Sequence, residues 1–348
     1  MTLLSVQDLV KHFPISGASK VVKALNGVTL GIERGETLSL VGESGSGKTT
    51  VGRAVVGLME PTSGEIVFDG KPLSWQRNIR SPELRGRIQF VFQEPAESFN
   101  PREPVLRAIM EPLRYLAISR HDREVRLREV LELIRMPLAL AQRLPGDLSP
   151  GLLQRAAIGR AIITRPDLVV LDEPTSALDP TARAEIVDLL RNLQRKLETA
   201  YLFISHDLNT VRFLSDRICV LYLGSVMEVG PAAKLFNDPR HPYSLGLMDS
   251  VLLPHPSLRT AARISLSGEI PSPVDLPSGC PLASRCPLVE SACTREMPAS
   301  DYPETGHRVH CLNHHQRANR TQGPDQFARF RELSDAMLRQ GLPLNEPA

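Results

Sequence analysis

No stretch of about 18 consecutive apolar residues occurs anywhere in the chain, so no segment reads as a membrane span. Any membrane the protein serves is expected to be reached through a partner. The first ten residues, Met1 to Val10, hold no basic segment followed by an apolar core and a cleavage site, so no export signal is expected there. Excess charge is missing too. Lys and Arg number 41 against 39 Asp and Glu, a net charge of +2, which leaves no general basic surface for nucleic acid. Cysteines number only five, and without an export signal a disulfide framework is not expected. The chain reads as cytosolic. Internal repeats and low-complexity tracts are also absent.

What remains is an ordinary globular composition, 42% apolar and 23% charged over 348 residues, enough for one large domain and a smaller one. Strand-like and helix-like runs alternate over the first 235 or so residues, which predicts an α/β fold. Leu38 to Val41 reads as a strand leading into a Gly-rich turn, and Thr49 to Leu58 as the helix that follows. Leu168 to Leu171 and Tyr201 to Ile204 are continuous apolar runs, the pattern of parallel strands covered on both faces. Helical signal dominates from about 93 to 163, including Arg123 to Ile134. After Pro239 proline becomes frequent, and we place a boundary near residue 236. Apolar residues at Phe327, Phe330, Leu333, Met337 and Leu338 predict one helical stripe near the C-terminus.

Gly42-Glu43-Ser44-Gly45-Ser46-Gly47-Lys48-Thr49 fits G-x-x-x-x-G-K-[ST] in full. Glycines let backbone N–H groups converge on phosphate oxygens, and the following helix points its positive end at the same anion. Lys48 is expected on the β- and γ-phosphates and Thr49 on Mg²⁺. The run Leu168 to Leu171 ends in Asp172 and Glu173. Asp172 can hold Mg²⁺ through water, and Glu173 can polarise an attacking water. His206 follows the next strand, where a γ-phosphate contact is expected.

These residues together resemble an ABC-type ATPase, a P-loop core with a helical subdomain, over residues 1 to about 235. The resemblance implies the following roles. Gly42 to Thr49, with Thr50 beside them, form the Walker A loop, and Asp172 with Glu173 form Walker B. Gln93, in Val91-Phe92-Gln93-Glu94-Pro95, is the Q-loop glutamine, sensing Mg²⁺ and facing a transmembrane partner. Asp179, in Ser176-Ala177-Leu178-Asp179, belongs to the D-loop, and His206 is the switch histidine. Glu173, His206 and Gln93 are the expected catalytic set. Phe13 falls where the family places an aromatic under adenine, although a core Phe also fits.

The family signature Leu-Ser-Gly-Gly-Gln is altered to Leu148-Ser149-Pro150-Gly151-Leu152. Ser149 and Gly151, which the family aims at the opposite subunit's ATP, remain. Pro150 removes a backbone N–H and biases Ser149 away from helix. Two readings stay open: a heterodimer with unequal sites, or a proline tolerated at the helix start with both sites working.

Cys280, Cys286, Cys293 and Cys311, with His241-Pro242-Tyr243 and Gly268-Glu269-Ile270-Pro271-Ser272-Pro273, resemble the C-terminal extension of oligopeptide and dipeptide importer ATPases. The stretch Val10-Lys11-His12-Phe13-Pro14 suits the same subfamily. We assign the extension to 236–348. Four thiolates suit an iron–sulfur cluster or zinc. The resemblance favours [4Fe–4S], with zinc second and His307, His310, His314 and His315 as substitute ligands; unliganded thiols are the bland alternative. Cys219, alone in an apolar run, reads as a plain buried thiol.

The expected function is ATP-driven import of peptides or related small solutes, at the cytoplasmic face of the inner or plasma membrane. The implied partners are two transmembrane permease subunits, a second ATPase subunit in a heterodimer, and an extracytoplasmic solute-binding protein. Two alternatives predict different features. A soluble ABC ATPase acting on nucleic acid or ribosomes would carry two fused cores or a basic stripe, and neither is present. A regulatory partner that holds ATP without hydrolysing it fits Pro150 and Leu152 but not the intact Glu173 and His206.

Overall fold

The computed structural model describes residues 2–17, 19–73, 82–249 and 266–315. The stripe from Phe327 to Leu338 lies outside the described residues. The strands are β1 (Thr2–Pro14), β2 (Val21–Glu33), β3 (Thr37–Val41), β4 (Ser63–Phe68), β5 (Lys71–Pro72), β6 (Ile88–Val91), β7 (Leu168–Asp172), β8 (Ala200–Ile204), β9 (Arg217–Tyr222), β10 (Ser225–Pro231), β11 (Asp301–Glu304) and β12 (His307–Val309). The helices are α1 (Lys48–Val55), α2 (Pro82–Arg87), α3 (Val105–Met110), α4 (Arg120–Leu133), α5 (Leu138–Ala141), α6 (Pro150–Ile162), α7 (Pro180–Leu197), α8 (Leu208–Leu214), α9 (Ala232–Asn237) and α10 (Pro242–Asp249).

Two sheets form. β2-β1-β4-β5 is antiparallel, and the larger sheet runs β11-β12-β10-β9-β3-β8-β7-β6. Its centre, β9-β3-β8-β7-β6, is parallel. Every residue of β3, β7 and β8 is buried, as continuous apolar runs require. Successive side chains of β8 serve opposite cores. Tyr201 and Phe203 pack with the helical side, while Leu202 and Ile204 pack with β1, β2 and α1. α7 buries Ile186, Leu189, Leu190 and Leu193, one stripe at helical spacing.

The segment from 93 to 163 folds mainly as short helices, with α6 against α3 and α4. Ser119 caps α4 by accepting the Asp122 N–H at 3.1 Å. The boundary read from composition at residue 236 falls inside α9. The larger sheet continues past it, because β12 pairs with β10 through Glu228 and Val229. Cys280, Leu282 and Cys293 are buried in the same core as Tyr222 and Tyr243. The region after 266 therefore lies against the ATPase-like core rather than standing apart from it. Cys219 sits wholly buried in β9, and burial pushes its thiol up to about 12.

Candidate active site

β3 ends at Val41, and α1 begins at Lys48 after a six-residue turn. Gly47 carries φ 100°, and a Cβ there would lie 2.6 Å from the Ala24 carbonyl oxygen and 2.7 Å from Leu25 Cδ2. Only glycine fits both demands. With no side chain to cap α1, the first-turn N–H groups are left for an anion. The Lys48 side chain is buried, and its Nζ donates to the Gly42 and Glu43 carbonyls, each at 2.9 Å. Burial lowers its pKa, opposed by the charges of Glu173, Asp172 and Glu43. Ser44 and Gly45 are exposed at the mouth of the turn, Ser46 is buried, and Thr50 is half-buried on α1.

The remaining groups arrive from the C-terminal ends of neighbouring parallel strands, where open α/β sheets bind ligands. In the order β3-β8-β7-β6, the phosphate loop follows β3, His206 follows β8, Asp172 ends β7 and Gln93 follows β6. Thr49 Oγ1 donates to Asp172 Oδ1 at 2.9 Å. Asp172 is buried, which raises its pKa, as does the charge of Glu173 beside it. Glu173 takes the left-handed conformation at φ 46°, an unusual state for a non-glycine, held by its N–H to the Ile204 carbonyl. Its carboxylate lies between Gln93 Nε2, which donates at 3.2 Å, and His206 Nδ1 at 3.1 Å. Two oxygens side by side, one a buried carboxylate, are the donor set a hard divalent cation takes. Thr49 and Asp172 thus fit Mg²⁺ together with phosphate oxygens.

Ser149, Gly151 and Asp179 line a different groove, with Pro150, Leu152, Ala177 and Leu178 and with no residue of the phosphate loop. Pro150 occupies the first position of α6, where its missing N–H costs little. Ser149 is extended (φ −67°, ψ 156°) and caps α6 by accepting the Leu152 N–H at 3.3 Å. Asp179 caps α7 through the Ala182 N–H at 3.0 Å. Phe13 is half-buried in β1 opposite Val22, with Lys11 Nζ 5.2 Å from its ring centre.

Beyond residue 240 the fold shows contacts the sequence did not disclose. His241 Nδ1 accepts the Tyr243 N–H at 3.1 Å at the start of α10. The buried Glu228 carboxylate receives the N–H groups of Arg240 (2.8 Å) and His241 (3.0 Å) and His307 Nε2 (2.7 Å). Tyr243 Oη accepts the Glu43 N–H at 2.8 Å. Arg285 forms a two-pronged ion pair with Glu43, its Nη1 2.9 Å from Oε2 and its Nη2 3.2 Å from Oε1. The His-Pro-Tyr triplet flagged this neighbourhood, but nothing flagged Arg285.

The four C-terminal cysteines lie within electrostatic reach of one another. Cys280, Cys286 and Cys311 each accept a backbone N–H, as metal-bound sulfurs do. Burial pushes the Cys280 thiol up to about 11 and the Cys311 thiol up to about 12. Among the described residues, no three thiols bring their sulfurs within 4.8 Å of one another, and no histidine joins them in such a set. A zinc tetrahedron, with bonds of about 2.3 Å, holds its sulfurs closer than that. His307 is taken by Glu228, His310 by the Pro298 carbonyl, and His314 by Asp301 at 2.6 Å.

Residues 25–176 match the ABC transporter family, and residues 227–293 match the oligopeptide/dipeptide transporter C-terminal region. A Brucella ovis protein named as a peptide import ATP-binding protein is 42% identical over 311 residues, 89% of this chain and 97% of that protein. A Brucella abortus protein of the same designation is 44% identical over 277 residues, 78% of this chain and 82% of that one. Among solved structures, the ATP-binding cassette MJ0796, a dimer in a post-hydrolysis state bound to ADP and Pi, superposes with a TM-score of 0.58 at 30% identity. It is covered to 99% of its length and covers 66% of this chain. CbiO1 of Clostridium perfringens, part of the ABC transporter complex cbiONQ, gives 0.60 at 29% identity, over 68% of this chain and 90% of that one. On motif, fold and kinship together, the chain belongs to the ATP-binding subunits of ABC transporters, an ATPase of the branch that carries the oligopeptide/dipeptide transporter C-terminal region.

Proposed function

We propose that this chain hydrolyses ATP to drive uptake of peptides or related small solutes through separate transmembrane subunits. The observation that carries the reading is the convergence of Lys48, Thr49, Asp172, Glu173, Gln93 and His206 at four adjacent strand ends. In this reading Lys48 and the α1 N-terminus hold the β- and γ-phosphates. Thr49 and Asp172, with Gln93 nearby, would hold Mg²⁺, which when bound would supply positive charge to offset that of the transferring phosphoryl group. Glu173 orients the attacking water and takes its proton, and His206 steadies that carboxylate and faces the γ-phosphate. Phe13 lies under the adenine. No helix among the described residues is long and apolar enough to cross a membrane. Two permease subunits supply the path, a solute-binding protein delivers cargo, and the chain works peripherally at the cytoplasmic face.

Residues 1–235 form the ATPase unit and 236–348 its extension. Ser149, Gly151 and Asp179 are directed at ATP bound by a second ATPase subunit, which explains why they line a groove of their own. In a heterodimer, the reading we favour, the loss of one donor at Pro150 would weaken the partner's site alone and leave the two sites unequal. The test is ATP turnover of the chain with its permease and partner ATPase, beside Glu173→Gln. The variant is expected to keep ATP binding and lose about 10²–10⁴ in turnover. Undiminished turnover overturns Glu173 as the base.

We read Cys280, Cys286, Cys293 and Cys311 as ligands of a [4Fe–4S] cluster, with zinc second; Cys280, Cys286 and Cys311 accept backbone N–H groups, as cluster-bound sulfurs do. The cluster would act as a staple for a region with little sheet of its own. Anaerobically purified protein is expected to contain about four irons per chain; protein free of iron, or one that contains zinc instead, refutes this.

A further inference from the structure

We infer that Arg285 and Tyr243 position the phosphate loop, making the C-terminal region a working part of the ATP site. The inference rests on the reading of Gly42–Thr49 as that loop. Glu43 is the only acidic residue in the loop. A carboxylate there repels the triphosphate the loop must bind, and something has to offset it. Arg285 does so, with Nη1 2.9 Å and 3.2 Å from the two Glu43 oxygens and Nη2 3.2 Å from Oε1. The arginine side chain is only 10% exposed, so solvent screens the pair weakly.

The same residue is held a second time through its backbone. Tyr243 is fully buried, and its hydroxyl accepts the Glu43 N–H at 2.8 Å. Tyr222 ties the two together: its hydroxyl accepts from Arg285 Nη1 at 3.1 Å, and its ring lies 4.6 Å from that of Tyr243. The Glu43 carbonyl in turn receives Lys48 Nζ. A shift of Glu43 therefore moves the acceptor that places the phosphate-binding lysine. Glu43 and Arg285 are 242 positions apart in the sequence, so these are tertiary contacts formed only when the C-terminal region is seated. Arg285 ends a short 3₁₀ turn (Ala283–Arg285) immediately before Cys286, and the Cys280 N–H bonds the Cys293 carbonyl at 2.8 Å alongside. Whatever holds the cysteines also sets where Arg285 stands.

The two residues are positioning residues, acting on ATP through Glu43 and Lys48. The experiment is titration of the full chain with a fluorescent ATP analogue, together with the ATP dependence of turnover. Wild type, Lys48→Ala, Arg285→Gln, Tyr243→Phe, and Glu43→Gln with and without Arg285→Gln are compared. Arg285→Gln is expected to weaken binding about tenfold and to raise KM more than it lowers kcat. Tyr243→Phe, which deletes one oxygen, is expected to weaken binding about threefold even if Arg285→Gln folds poorly. Adding Glu43→Gln to Arg285→Gln is expected to recover most of the loss, since no stranded carboxylate remains; a purely architectural role gives no such recovery. If wild type binds with Lys48 dependence but the Arg285 and Tyr243 variants match it, or if Glu43→Gln rescues nothing, the inference is wrong. If wild type shows no Lys48-dependent binding, the phosphate-loop reading itself fails and takes this inference with it.

Discussion

The phosphate site and the cysteine-bearing region are built on opposite plans. The first hangs on four adjacent parallel strands, three of them wholly buried, with every functional group at or just after a strand end, so a short stretch of chain fixes each side chain. Among the described residues the second contributes only β11 and β12, seven residues of strand between them. It is held by contacts to distant chain: Glu228 with His307, Pro273 with the Lys23 N–H at 3.0 Å, and Arg285 with Glu43. A rigid sheet end can hold a buried carboxylate, Asp172, beside a half-buried one of the same charge, Glu173, because the backbone has little room to move. A region with few strands needs each buried polar group satisfied to stay seated.

Glycine substitution breaks this comparison most sharply. Gly47→Ala puts a Cβ into the Ala24 carbonyl at φ 100°, and the loop must move. ATP affinity is expected to fall about a hundredfold, as titration with labelled nucleotide would show. Gly306→Ala, also at positive φ (77°) but with no atom within 4 Å of its Cβ, is expected to cost only about 1–2 kcal/mol of stability and to leave affinity alone. Equal effects of the two would mean that the phosphate loop is the softer element after all.

Acid should act on the second region next. His241 is fully buried, and burial, against the pull of Glu228, takes its pKa down to about 4 from 6.5. The unfolded chain thus binds a proton that the folded one refuses between those values. Stability is complete above about pH 6.5 and declines as pH falls toward 4, by up to about 1.4 kcal/mol per unit. Urea midpoints at pH 7 and pH 5 check this, and His241→Asn is expected to flatten the difference. An unchanged slope in that variant assigns the acid sensitivity elsewhere.

Legibility in the sequence divides along the same line. The strands ending at Val41, Asp172 and Ile204 were readable because a strand buried on both faces must be continuously apolar, and the phosphate loop because its glycines have no substitute. Boundaries moved by a few residues: the helix expected at Thr49 to Leu58 spans Lys48–Val55, and the one expected at Arg123 to Ile134 spans Arg120–Leu133. Proline content, the signal behind a boundary near residue 236, reports loops but not whether those loops are covered. Arg285 and Glu228 were invisible because a lone charge carries no spacing signal; their meaning lies in partners many residues away.

The signature groove lies between the two plans and gives the smallest expected effect. It is made of two helix starts, with Ser149 and Asp179 as caps and the Arg155–Glu185 ion pair (2.7 Å) in its wall, and no residue of the phosphate loop enters it. Pro150 at the first position of α6 removes an N–H that the helix never needed, so the helix should not register its replacement strongly. A bound phosphate on a partner subunit would. Pro150→Gly restores the donor, and turnover of the assembled pair is expected to rise about threefold. Nucleotide affinity of the isolated chain should stay put, because its own loop is untouched. A rise in the assembled pair alone assigns the groove to the partner's ATP. No change in either assay leaves Pro150 as a helix start and nothing more.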